Sequence, residues 1–153
     1  MKTQIRIGVW ETNSSSVHSL VIARSDRMSS TAIDKVDGGE YGWGYDRLIY
    51  PIEKLSYALT AIQYVDQENE DDISKSKWFA QLQDVVKTQT GSNFELVPLN
   101  DYYKYGYIDH QSAPGNDFPL EDFWSEDELE FKEKMTDFIF NSKWELIIDN
   151  DNH

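Results

Sequence analysis

The apolar residues of this chain recur at two different spacings, and the order of those spacings restricts the fold. In Gln4–Trp10 and Val17–Ala23, β-branched residues stand between polar ones, which predicts a first pair of strands. Pro51 suits the first position of a helix, and the apolar residues after it recur at helical spacing through about residue 67. A second run of apolar residues predicts a helix over about Ile73–Thr90, and Gly91 is expected to end it.

Shorter strand-like runs and one more helical stretch complete the pattern. The strands are predicted at Arg47–Tyr50, Asn93–Pro98 and Trp144–Ile148, and the helix at about Glu126–Phe140. This order of elements predicts an α+β fold in a single domain, residues 1–153. In that fold, about three helices pack on a largely antiparallel sheet.

The third predicted helix begins after a capping box formed by Ser125 and Glu128. Its inward residues are predicted to be Leu129, Phe131, Met135, Phe138 and Ile139. Phe123 and Trp124, just before it, fit either the core or an interface, where aromatic anchors inside a charged rim are common.

Four glycines stand among aromatic residues and Glu40 in the segment Gly38–Tyr45. Glycine permits positive φ angles and a close approach of one backbone to another. We therefore predict a tight, shaped loop or a kinked strand here.

The segment Glu11–Leu20 is unusually rich in hydrogen-bonding and metal-ligating groups. It offers a carboxylate, an amide, several hydroxyls and an imidazole between two strand-like runs, and it contains neither Gly nor Pro. Such a density is typical of a built site, although Ser and Asn also cap ordinary turns and helices. Both interpretations stand at this point.

Two of the three histidines, His18 and His110, follow strand-like runs within polar clusters. In a chain without cysteine, imidazole and carboxylate groups are the side chains that suit zinc. His18, Glu40 and His110 would supply three ligands to one divalent metal, most plausibly zinc. Asp109, Asp149 or Asp151 could be the fourth ligand, and we expect Asp151. The alternative is that both histidines cap strand ends through backbone hydrogen bonds.

No catalytic residue is predicted. The serines at 14–16 could pair with a histidine base and Asp109, but no strand-to-helix nucleophile elbow is present. The glycines around Glu40 have no lysine nearby to bind phosphate. If the chain is an enzyme, the alternative is a metal-dependent one that uses the His18, Glu40 and His110 cluster with an open coordination position.

The charge balance restricts the partners. Asp and Glu number 28 against 14 Lys and Arg, which gives a formal net charge of -14. Nucleic acid and anionic membrane surfaces repel such a chain, so we expect neither as a direct partner. Basic proteins or cations are the expected partners. The chain has no cysteine, no apolar run that resembles a signal peptide and no stretch near the roughly 20 apolar residues of a membrane span, so a cytoplasmic protein is expected.

Carboxylates concentrate in the segment Glu121–Glu133, which contains a single lysine. Those in the first turn of the predicted helix suit the helix dipole, whereas those further along form a charged outer face. The residues predicted to contact a basic partner are Glu121, Asp122, Glu126, Asp127, Glu130 and Glu133.

The segment Trp10–Leu20 resembles the opening of a family of small phage and prophage proteins of Gram-positive bacteria. In that family the segment begins with Phe in place of Trp10 and has Thr or Ser in place of Val17. Further stretches of the chain are similar to the same family: Gly39–Trp43, Gly106–Ser112, Phe138–Asn141 and Asp149–Asp151.

No reaction is established for that family, but the resemblance implies one shared site and an origin in a mobile element. Added to His18, Glu40 and His110, the implied site residues are Glu11, Asn13, Ser14 and Asp109. In character, a small acidic phage protein without thiols is similar to anti-CRISPR inhibitors of type II Cas9. The resulting hypothesis is an acidic inhibitor of a basic nucleic-acid-handling protein, most plausibly Cas9, with a structural metal. A structural phage protein without a metal is a third hypothesis.

Overall fold

The computed structural model describes residues 4–11, 17–24, 33–109 and 124–150, and for 4–11, 17–24 and 149–150 it gives the backbone only. In these ranges the strands are β1 Gln4–Glu11, β2 Val17–Arg24, β3 Lys35–Val36, β4 Glu40–Tyr41, β5 Tyr45–Leu48, β6 Glu95–Leu96, β7 Tyr107–Ile108 and β8 Trp144–Asn150. The helices are α1 Pro51–Val65, α2 Lys77–Thr90 and α3 Glu128–Phe140, with short 3₁₀ turns at Gln67–Asn69 and Ile73–Lys75.

The long strands form an antiparallel sheet in the order β1-β2-β8-β5. Two short parallel pairs, β3 with β6 and β4 with β7, accompany this sheet in the described residues. The predicted α+β class with a largely antiparallel sheet is confirmed. The parallel pairs were not predicted, because two residues per strand are too few to show an alternating pattern.

Helix α1 begins and ends close to the predicted positions. Pro51 occupies its first turn, and the Glu53 carboxylate accepts hydrogen bonds from the backbone N–H groups of Ile49 and Tyr50, at 2.8 and 3.1 Å. Leu55, Leu59 and other residues of the apolar stripe are fully buried. Burial of each such side chain contributes about 1.5–3 kcal/mol.

Helix α2 begins later than the spacing of apolar residues predicted. Ser76 is the N-cap and its hydroxyl accepts a hydrogen bond from the Trp78 N–H, whereas Ile73–Lys75 forms a separate 3₁₀ turn. Gly91 ends the helix with a φ of 82°, as the sequence predicted. Ser76 can stop the 3₁₀ turn and start the helix because its φ and ψ are extended.

Two expectations for α3 were wrong. The N-cap is Asp127, whose carboxylate accepts a hydrogen bond from the Glu130 N–H at 2.8 Å, so the cap lies two residues after Ser125. Leu129 is 68% exposed and does not face the core. It lies about 200° around the helix from the buried Phe131, at 100° per residue, and so belongs to the opposite face.

Trp124, which precedes α3 in the chain, packs against the core. Its ring lies 5.7 Å from that of Trp78 and 5.2 Å from that of Phe131, measured between centroids. Of the two interpretations of Trp124, the core one is therefore confirmed. Phe123 lies outside the described residues.

Two buried charged side chains connect elements that are distant in sequence. Glu145 on β8 is fully buried, and its carboxylate accepts hydrogen bonds from the Arg47 guanidinium on β5 at 2.9 and 3.1 Å. Lys54 of α1 is also fully buried and donates to the backbone carbonyls of Asn141 and Trp144, at 3.3 and 3.0 Å. Burial lowers the pKa of Lys54 to about 8. The lysine thus joins α1 to the turn between α3 and β8.

Candidate functional site

The glycine and aromatic segment forms a compact junction with β7. Tyr107 donates its N–H to the Gly39 carbonyl at 2.8 Å, and Asp109 donates its N–H to the Tyr41 carbonyl at 2.9 Å. This pairing places Glu40 opposite Tyr107 and leaves its side chain exposed. Asp109, in contrast, is only 7% exposed.

Glycines allow the two backbones at this junction to come so close. Gly106 has a φ of 84°, and a Cβ atom built on it would lie 2.3 Å from the Gly39 carbonyl oxygen. A Cβ on Gly38 would lie 2.0 Å from the Tyr105 carbonyl oxygen. Gly42, with a φ of 88°, turns the chain from β4 toward β5. The predicted tight, shaped segment is confirmed here, and its partner is the turn before β7.

The register of the large sheet brings other predicted site positions to one end. His18 lies opposite Trp10 on one side and Asn150 on the other, and Asp149 lies opposite Tyr45. Only residues 42–44 separate β4 from β5, so the β4–β7 junction is joined to this end of the sheet by a short connection. The backbone therefore brings the start of β2 and the ends of β8 and β7 toward the same part of the molecule.

The predicted metal site falls largely outside what the structure describes. Only the backbone positions of Glu11 and His18 are given, whereas Asn13, Ser14, His110 and Asp151 lie outside the described residues. In the part of the chain that is described, no three side chains of His, Asp or Glu are grouped as a metal would require. The zinc site of His18, Glu40, His110 and Asp151 stays a prediction.

Asp46 is a carboxylate of this region that no sequence pattern indicated. Its side chain accepts a hydrogen bond from the Gly42 N–H at 3.0 Å, and burial raises its pKa. It lies opposite Ile148, two residues before Asn150, which is the register partner of His18. Its contact with Gly42 depends on the turn at that glycine, which no local sequence pattern shows.

Among the described residues that line it, a shallow cavity beside the junction has hydroxyl groups but no activated nucleophile. Tyr41 donates its hydroxyl hydrogen to Ser56 at 3.0 Å, and Ser56 donates its own to the Asp37 carbonyl at 2.6 Å. Burial raises the pKa of Tyr41 to about 12, so this phenol stays protonated at neutral pH. The Asp37 carbonyl oxygen accepts a hydrogen bond from the Ser56 hydroxyl but cannot take up its proton as a general base.

Four aromatic side chains extend from the junction along the surface. The Trp43 ring stacks on Tyr107 at 5.3 Å, Tyr107 lies 5.1 Å from Tyr103, and Tyr103 lies 4.7 Å from Tyr102. Trp43 is 57% exposed and Tyr102 is 84% exposed. We call these four residues the aromatic ladder. Its three tyrosines, Tyr102, Tyr103 and Tyr107, lie close together in the sequence. Their contact with Trp43 depends on the pairing of β4 with β7.

The carboxylates at the start of α3 form an exposed acidic face, which we define as Glu126, Asp127, Glu130 and Glu133. All four are exposed, while Glu121 and Asp122 lie outside the described residues. Lysines offset part of the charge, since Lys77 pairs with Glu126 and Lys134 pairs with Glu130 at 2.9 Å. The hydrogen bond from Lys134 lowers the pKa of Glu130 below its usual value.

The exposed Leu129 gives this acidic face an apolar centre. It precedes Glu133 by four residues within α3, and residues at this spacing are neighbours on the helix surface, while Glu126 and Asp127 lie just before the first turn. The sequence predicted a charged outer face here and placed Leu129 on the inward face of the helix, and that placement was wrong.

No protein-family model, curated protein or solved structure matches the chain. The functional proposal therefore rests on the residues of this chain. Among the described residues, no helix is long and apolar enough to cross a membrane.

Proposed function

We propose that this chain is an acidic binding protein of phage origin that inhibits a basic nucleic-acid-handling protein of its bacterial host. Cas9 is the leading candidate, because the N-terminal motif resembles phage proteins and the composition is similar to that of anti-CRISPR inhibitors. The proposed place of action is the host cytoplasm. The observation that carries the proposal is the acidic face of α3 with Leu129 at its centre.

The charge of this region favours a basic partner even after its lysines are counted. Residues 124–140 contain six carboxylates and two lysines, and the net charge of the whole chain is -14. Exposed ion pairs such as Lys134 with Glu130 contribute little to stability because water screens them, so a partner's arginines can replace them at little cost. Such a field accelerates association and makes it sensitive to salt.

Leu129 supplies what a carboxylate face alone lacks. Binding energy in interfaces concentrates in a few apolar or aromatic side chains that become fully desolvated, while charged residues around them exclude water and set the orientation. A leucine that is 68% exposed between carboxylates has this arrangement. We therefore assign Leu129 as the anchor of the contact and the carboxylates as its rim.

The test is a kinetic measurement of binding to purified Cas9 proteins at two ionic strengths. The variant combines Glu126→Lys with Glu133→Lys and leaves the helix cap Asp127 intact. Its control combines Asp34→Lys, just before β3, with Glu95→Lys in β6, which changes the net charge of the chain by the same amount. We expect the α3 variant to associate more slowly than the control variant, and Leu129→Ala to dissociate faster.

Equal association rates for the two charge variants would contradict a local role for α3. Binding to Cas9 that ignores both the α3 variant and added salt would exclude the electrostatic mechanism. If none of the Cas9 proteins tested binds, the inhibitor assignment is wrong, although the fold and the metal prediction are unaffected.

We also propose a structural divalent metal, most plausibly zinc, held by His18, Glu40, His110 and Asp151. The support is topological, because His18 lies opposite Asn150 and the β7 pairing leads directly to residue 110. The exposed side chain of Glu40 is free to turn toward a ligand, and Glu11, Asn13, Ser14 and Asp109 would support the site. Bound there, the metal would join the N-terminal hairpin to the end of β8.

A further inference from the structure

The aromatic ladder is an exposed surface that the proposed α3 contact does not use. Backbone hydrogen bonds hold its tyrosines in place, since the Asn100 side chain accepts hydrogen bonds from the N–H groups of Tyr102 and Tyr103. The β4–β7 pairing holds Tyr107 under Trp43. A row of rings held in this way is a preformed surface, so a ligand that stacks on it loses little conformational entropy of the protein.

Carboxylates lie along the ladder. Glu40 is exposed and is the register partner of Tyr107, and Asp101 directly precedes Tyr102 and is exposed. Among the described residues, the lysines that lie over aromatic rings are Lys54, Lys77 and Lys104, over Phe138, Trp78 and Tyr105. None of these rings belongs to the ladder, so its ring faces carry no described internal cation.

From this geometry we infer that the aromatic ladder is a docking site for arginine side chains of a basic protein segment. The planar guanidinium stacks on aromatic faces and at the same time donates hydrogen bonds to neighbouring carboxylates, which an ammonium group does less well. Trp43 and Tyr102 are the contacting rings, and Asp101 is the acceptor that stays available when Glu40 binds the metal. The inference rests on the proposed function for the class of partner, and it adds a second contact surface with its own chemistry.

The test uses the full chain with two probes, an arginine homopeptide and a lysine homopeptide of equal length, and measures affinity by calorimetry. The variant combines Trp43→Ala with Tyr102→Ala, and the control is Tyr50→Ala, an exposed tyrosine outside the ladder. Circular dichroism and melting curves verify that each variant is folded. We expect the wild type to prefer the arginine peptide. The double variant should lose roughly fivefold to thirtyfold in affinity for it, from two exposed cation–π contacts.

Equal affinities for the two peptides, or an unchanged affinity of the double variant, would overturn the inference. Two further results would overturn it. One is that the ladder binds a neutral glucan and shows no preference for arginine. The other is that the double variant loses self-association of the chain and not binding of the arginine peptide. The outcome is separable from the α3 proposal. Arginine binding that depends on the ladder, without any Cas9 binding, supports the ladder and rejects Cas9. Cas9 binding through α3 with no effect of the ladder variant on either probe rejects the ladder alone.

Discussion

Substitution of Gly106 by alanine tests the close backbone contact on which the β4–β7 junction depends. Gly106 and Gly91 both have left-handed backbones, with φ angles of 84° and 82°. A Cβ on Gly106 would meet the Gly39 oxygen at 2.3 Å and the Gly39 nitrogen at 2.7 Å, whereas a Cβ on Gly91 has nothing within 4 Å. The two substitutions therefore share the conformational strain and differ in the steric clash.

The expected loss can be worked out from these contacts. A left-handed alanine costs about 1–2 kcal/mol relative to glycine, and this term is common to both variants. The clash at Gly106 must push Gly39 away, which breaks the hydrogen bond from Tyr107 N–H to the Gly39 carbonyl and the one from Gly39 N–H to Thr60 Oγ1. Each bond contributes about 0.5–1.5 kcal/mol, so Gly106→Ala should lose about 1–3 kcal/mol more than Gly91→Ala.

Urea unfolding followed by far-ultraviolet circular dichroism and tryptophan fluorescence gives the two free energies of unfolding. Equal losses for Gly106→Ala and Gly91→Ala would refute the close approach. If Gly106→Ala does not fold, Gly38→Ala gives a second measurement. Its Cβ would lie 2.0 Å from the Tyr105 carbonyl oxygen, and Gly38 is not among the glycines with positive φ.

Three further predictions concern metal and charge. Native mass spectrometry should show one bound divalent metal that His18→Ala removes with a loss of several kcal/mol; an apo mass alone, with a melting temperature that chelator does not change, contradicts the site. The pKa of Lys54, about 8 in the fold against 10.5 normally, means that the unfolded chain binds more protons between these values, so this group makes stability rise with pH from about 8. Above pH 10 the raised pKa of Tyr41 makes stability fall with pH, so the stabilities of the wild type and of Lys54→Met are compared only below that pH. Equal slopes of stability against pH for the two proteins would contradict the prediction. Arg47→Met should cost about 2–4 kcal/mol, since it takes the guanidinium from the buried Glu145, whereas Lys134→Met, at an exposed pair, should have a much smaller effect; similar losses in urea unfolding would contradict this difference.

The predicted helices and long strands agree with the structure because periodicity is a local property. The helix ends were less accurate, since they depend on single capping groups such as Ser76 and Asp127. Leu129 shows the limit of counting apolar residues, because an apolar residue at the start of a helix can lie on the face opposite the buried stripe.

The short parallel pairs could not be predicted from the sequence, and the aromatic ladder depends on one of them. Trp43 and Tyr107 are far apart in the chain, and no local pattern indicates that their rings stack at 5.3 Å. Asp46 is a similar case, since its burial arises from the turn at Gly42. In both cases the glycines indicated a special backbone, but they did not indicate what that backbone would bring together.

The two proposed contact surfaces should act on different steps of binding. Carboxylates on an exposed helix attract a basic partner over distances of about a Debye length, so they mainly set the association rate. Stacked rings and Leu129 act only after contact, when they are desolvated, so they mainly set the dissociation rate. If one partner uses both surfaces, charge reversals on α3 and truncations on the ladder should combine additively in the free energy of binding, because they affect separate steps through separate contacts. A strong departure from additivity would mean that the two surfaces are coupled. Because the ladder is built on the junction of β4 with β7, substitutions at that junction would then test where the coupling arises.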